Sequence, residues 1–176
     1  YGIARDLAAP DRLWVGTLKG AALLRTGPRP RVVETVGLAQ GLANEQVWGV
    51  LPTPEGEVWV MTDNAFQVRA RGARAFAMAP PVVQSPRSVP YDMQLDGAGR
   101  LWLARTDERG GLLVRDTRGA WRVFSRTGDG RPVTACRRLF PRTAGGVWVA
   151  DGMDVLWSDG AVLQRVPGPV PLAHGS

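Results

Sequence analysis

The chain holds a single cysteine and a single histidine in 176 residues. Cys136 has no partner for an internal disulfide, and one thiol with one imidazole cannot furnish a Cys/His metal cluster. Its apolar neighbours point to a buried, inert thiol. His174 falls in a terminal stretch where fraying is expected, so no ligand role is expected of it. Lysine is nearly absent as well: Lys19 is the only one, and arginine carries the formal net charge of +6. The arginines are scattered, the densest groups being Arg69, Arg71 and Arg74, then Arg137 and Arg138. Without a run of five or more basic residues, a solvated basic surface is expected and a nucleic-acid partner is not.

Long apolar runs are missing too. None approaches the roughly 18 residues of a membrane span, so membrane attachment is expected only through parts outside this chain. Residues Tyr1 to Leu7 lack a signal-peptide pattern. They read as the middle of a strand, which predicts that the chain starts inside a larger protein. Catalytic signatures are equally sparse. There is no G-x-S-x-G elbow, and Gly97-x-Gly99 precedes a strand rather than a helix, which removes the phosphate-loop reading. The segment from Asp151 to Asp154 lacks the alternating ligands and final Glu of a calcium loop. No metal and no cofactor is expected, and the chain is not read as an enzyme.

What the sequence does have is punctuation and tryptophan. Gly 22 and Pro 14, spread along the chain with 44% hydrophobic residues, favour a folded protein of many short strands and tight turns. Four of the seven tryptophans stand in matching strings: Leu13-Trp14-Val15, Val58-Trp59-Val60, Leu101-Trp102-Leu103 and Val147-Trp148-Val149. Successive tryptophans are 45, 43 and 46 residues apart. A turn rich in Gly, Asp or Glu precedes each string, a short apolar stretch precedes each turn, and two further strand-like segments follow.

Each unit is therefore four strands in about 44 residues, a period that marks a β-propeller rather than a helical solenoid. The Trp strings are apolar on both alternating faces, as strands sandwiched between neighbouring blades require. The sequence thus predicts an all-β fold of four tandem four-stranded antiparallel blades, about 1–40, 41–84, 85–130 and 131–176, in a single partial propeller domain. Trp14, Trp59, Trp102 and Trp148 are expected to be blade packing and not binding residues.

The repeat running Gly41-Leu42-Ala43-Asn44, then Val47 to Leu51, then Glu55-Gly56-Glu57-Val58-Trp59-Val60, resembles the two-component-regulator propeller repeat. Leu13-Trp14-Val15-Gly16-Thr17 matches the core of that repeat, and Ala104-Arg105 and Ala150-Asp151 depart from it. The resemblance implies a seven-bladed propeller, so this chain either supplies part of one, the favoured reading because an open blade edge is a liability, or is a four-bladed variant. It implies a periplasmic or extracytoplasmic location and an output module elsewhere, a histidine kinase, a diguanylate cyclase or a DNA-binding module.

Propellers bind ligands on loops entering the innermost strands and on loops between second and third strands. Those positions nominate Asn44, Gln46, Asp63, Tyr91, Arg137 and Asp151 as ligand-binding candidates. The expected function is a non-catalytic sensor module that binds a small ligand or a protein surface. Two alternatives stand beside it. One is a structural scaffold that associates with copies of itself through an open blade edge. The other is a propeller lyase or hydrolase using carboxylates such as Asp92, Asp96, Asp107 or Glu108, which otherwise read as turn and solvated loop charges.

Overall fold

The computed structural model describes residues 2–85, 87–152 and 154–168; His174 lies outside them. Among the described residues, sixteen strands form four antiparallel sheets, each in simple sequential order. The first contains β1 (Ile3–Arg5), β2 (Arg12–Thr17), β3 (Gly20–Arg25) and β4 (Arg31–Val36). The second contains β5 (Val47–Pro52), β6 (Val58–Thr62), β7 (Phe66–Arg69) and β8 (Ala77–Met78). β9 (Val89–Leu95), β10 (Leu101–Thr106), β11 (Leu112–Arg115) and β12 (Trp121–Phe124) make the third. β13 (Cys136–Pro141), β14 (Val147–Asp151), β15 (Asp154–Ser158) and β16 (Leu163–Arg165) make the fourth. No helix among the described residues is long and apolar enough to cross a membrane.

Three of the turns joining first to second strands are built alike. Thr53 N–H donates to Glu57 O at 2.9 Å and Gly56 N–H to Thr53 O at 2.9 Å. The same two bonds recur at Asp96 with Arg100 and Gly99, and at Arg142 with Gly146 and Gly145. The glycine that closes each turn has φ between 77° and 89°, a left-handed conformation that side-chain-bearing residues seldom adopt. The glycines before the second, third and fourth Trp strings are therefore turn geometry.

The chain divides into two compact units, 1–93 and 94–176, with the division inside β9. Each unit has its own core. In the first, Trp14, Leu23 and Val36 pack with Val47, Val50, Val58 and Val60. Arg69 extends from β7 over Trp14, 5.1 Å from the ring centroid, and pairs with Glu34 of β4. In the second unit, Trp102 joins Leu112, Leu139, Val147, Val149 and Leu156, stacked on Phe124 at 6.1 Å.

Trp14, Trp59 and Trp102 are buried. Trp148, expected from sequence to pack like the others, is exposed on one side. Along β14, Val147 and Val149 enter the core while Trp148 and Ala150 take the other face. Trp148 stays 42% exposed, beside Trp157 at 6.4 Å with the Arg142 guanidinium over both rings. The Trp14 and Trp102 side chains each face the following sheet of their unit.

Candidate functional site

The first unit gathers three of the six nominated residues at one end of its second sheet. The segment entering β5 is pinned by Gln67 of β7, a fully buried amide. Its Nε2 donates to Gly41 O at 2.8 Å and its Oε1 accepts the Ala43 N–H at 2.7 Å. That clamp sets the position of Asn44. The Asn44 Oδ1 accepts the Gln46 N–H at 2.9 Å, an Asx turn that shapes the approach to β5. Its Nδ2 faces Asp63 Oδ2 at 3.4 Å. Asp63 lies in the turn between β6 and β7, which buried Thr62 ties down through its hydroxyl to Ala65 O at 3.3 Å.

The residue that completes this cluster is Trp48, which sequence reasoning left inside a strand. Pairing runs Val47 with Thr62 and then Gly49 with Met61, so Trp48 is the extra residue of a β-bulge. A bulge re-aims one side chain without disturbing the register beyond it. Trp48 is 38% exposed, and its indole Nε1 donates to Asp63 Oδ1. Both oxygens of the Asp63 carboxylate are thus engaged by groups from the first strand and its entry loop. The signal available in the sequence was a tryptophan outside the 45-residue register, two positions after Gln46.

Beside the cluster lies an open pocket of about 540 Å³, lined by Asn64, Met78, Ala79, Pro81, Gln84 and two serines. Asn64 directly follows Asp63, and its Oδ1 faces the Thr62 hydroxyl at 3.4 Å. The arrangement offers an aromatic face, a fixed carboxylate and several amides next to a mainly apolar hollow. That is recognition chemistry of the kind small-molecule sites use. It contains no paired nucleophile and base.

The other three nominated residues take different places. Tyr91 is half-buried on β9 in the first unit. In the second unit, Arg137 is an exposed bulge residue of β13, since pairing runs Cys136 with Asp151 and then Arg138 with Ala150. Asp151 is half-buried at the end of β14. Burial pushes its carboxyl above the ordinary range, the Ala135 N–H opposes that, and the charge of Asp154 adds to it. Cys136, paired with Asp151, is fully buried, and burial pushes its thiol far above the ordinary range.

Asp107 corrects the reading of its loop as solvated charge. It is 6% exposed and Arg105 is 2% exposed, with Nη2 and Oδ2 3.1 Å apart. Arg105 also donates from Nε to Gly110 O at 3.1 Å. Burial presses its guanidinium below the ordinary value, against the opposing charge of Asp107. Among the described residues, no group of three or more His, Cys, Asp and Glu is placed to hold a metal ion.

No family model matches the chain, and no curated protein matches it. Solved structures do, as β-propellers. The extracellular domain of the hybrid two component system BT4673 from B. thetaiotaomicron superposes with a TM-score of 0.71 at 16% identity, covering 94% of this chain and 23% of that one. The virginiamycin B lyase from Staphylococcus aureus superposes with a TM-score of 0.66 at 13% identity, over 97% of this chain and 56% of that one. An ancestral GH74 enzyme gives a TM-score of 0.66 at 16% identity, over 95% and 24%. The chain is thus an all-β protein of propeller blades. It spans about a quarter of the two-component domain and just over half of the lyase.

Proposed function

We propose that the chain is the ligand-sensing part of a propeller in an extracytoplasmic signalling receptor. The observation that carries this reading is the Trp48–Asp63–Asn44 cluster, a partly exposed indole and a fixed carboxylate beside a 540 Å³ pocket. The fold it shares with extracellular domains of two-component systems supports the signalling context. So does the repeat motif read from Leu13-Trp14-Val15-Gly16-Thr17. In this reading the parent protein is membrane-bound through segments outside the chain, and further blades bring the propeller to seven.

Trp48 makes the proposal testable in the chain itself. A screen of small molecules should find compounds that change tryptophan emission saturably. Trp48→Phe and Asp63→Asn should weaken their binding at least about tenfold. Binders that persist unchanged in both variants would remove the site.

A lyase or hydrolase reading draws on propeller enzymes of the same fold. Its mark would be turnover dependent on carboxylates of the chain. A scaffold reading draws on the open apolar face of Trp148 and Trp157, and self-association through that face is its mark.

A further inference from the structure

At one end of the first sheet stands a row of three arginines. Arg12 of β2 pairs with Arg25 of β3, and Arg25 pairs with Arg31 of β4. Cross-strand partners project from the same face, with Cβ atoms about 5 Å apart. Three guanidinium side chains are therefore borne side by side across roughly 10 Å of sheet. Arg31 is exposed, Arg12 is half-buried, and the Arg25 side chain is 42% exposed. The row is open to solvent.

Like charges set directly opposite one another work against a sheet, and little in the fold answers these three. Asp11 lies 3.1 Å from Arg25 Nε, with its own side chain 53% exposed. Among the described residues, neither Arg12 nor Arg31 forms an ion pair. The third blade treats the same position differently. Asp96 N–H donates to Arg100 O at 3.0 Å, as Asp6 N–H does to Arg12 O. There the Asp96 carboxylate also meets Arg100 Nε, at 2.8 Å. Asp6 instead turns its carboxylate to the Ala8 N–H at 3.0 Å, and Arg12 is left to its arginine neighbours.

We infer that the Arg12–Arg25–Arg31 row binds a diphosphate group, each phosphoryl seated between two neighbouring arginines. A guanidinium is a planar fork of donors that engages phosphate and carboxylate oxygens in pairs. A carboxylate has one such edge and answers one fork. A phosphoryl group carries oxygens on several sides and answers two. Three arginines in line leave two gaps, and two linked phosphoryls fill them. The diphosphate comes free or as the end of an ester such as a nucleoside diphosphate, and the row reads the same chemistry in both.

The test is a calorimetric titration of the chain at low salt with pyrophosphate, ADP, orthophosphate and malonate. Pyrophosphate should bind with a dissociation constant near or below about 1 mM, at least about tenfold tighter than orthophosphate or malonate. ADP at the affinity of pyrophosphate supports an ester as the source, and ADP left unbound supports the free anion. Arg25→Ala and Arg31→Ala should each weaken pyrophosphate binding at least about fivefold. Arg25→Lys, which keeps the charge and removes the fork, should weaken it as well. Arg138→Ala, at an exposed arginine of the fourth sheet, should leave it intact. Because the row repels itself, the Arg25 and Arg31 variants should melt at or above the parent temperature. Pyrophosphate that fails to bind, or binds no tighter than orthophosphate, would overturn the inference. Equal losses in Arg25→Ala and Arg138→Ala, or full binding by Arg25→Lys, would also overturn it, as a response to net charge alone. So would variants melting well below the parent, since the row would then serve the fold.

Discussion

Trp102 and Asp96 are joined by a buried hydrogen bond, indole Nε1 to carboxylate Oδ2 at 2.8 Å. The same oxygen accepts the Gly146 N–H, so one carboxylate ties a blade's tryptophan to the turn of the next sheet. Replacing Asp96 by Ala leaves the Trp102 and Gly146 donors without a partner. The expected loss is about 3 kcal/mol or more, read by urea denaturation.

The same carboxylate gives stability a pH dependence. Burial raises the Asp96 pKa, but hydrogen bonds from Trp102, Gly146 and Arg100 outweigh it, and the folded-state value is lowered. Its stabilisation is therefore complete above the ordinary carboxylate range and is lost as the pH falls through the folded-state value. Denaturation midpoints should fall between about pH 5 and pH 3 in the parent chain. Asp96→Asn should flatten that part of the profile.

Arg105 and Asp107 form a pair withdrawn from water. Asp107→Ala strands a buried guanidinium and should cost about 3–5 kcal/mol. Arg105→Met combined with Asp107→Ala should recover much of that loss, because no charge is then buried. A double-mutant cycle in denaturant measures the difference.

Gly16 stands where β2 passes close to β5. A Cβ there would fall 2.6 Å from the carbonyl oxygen of Val47. Gly16→Ala should lower stability by about 1–3 kcal/mol, detectable as a lower melting temperature. The glycine of the Leu-Trp-Val-Gly string is thus a requirement of sheet-to-sheet distance.

Cys136 should be unreactive toward a thiol reagent such as Ellman's in the folded chain, since burial suppresses the thiolate. One equivalent should react once urea unfolds the protein. Stoichiometric labelling under native conditions would contradict the burial described.

The strands were legible because the tryptophan spacing and the turn glycines are local in sequence. A strand apolar on both faces announces that both are to be covered, and Leu101, Trp102 and Leu103 are covered. Trp148 has the same local pattern and a different fate. Whether a second sheet arrives on that face is not written in the string itself. Asn44, Gln46 and Asp63 were legible as loop residues at one end of a blade. Trp48 was hidden, because alternation is the only cue to where a strand residue points, and a bulge suspends alternation for one residue.

The bulges at Trp48 and Arg137 have a consequence for how such a protein can change. Trp48 and Arg137 each occupy the one place in their strand where a residue is inserted out of step with its partner. Residues on either side keep their pairing and hold the core. What is displayed at those two positions can therefore be rewritten while the surrounding architecture is inherited unaltered, so selection can retune recognition separately from folding.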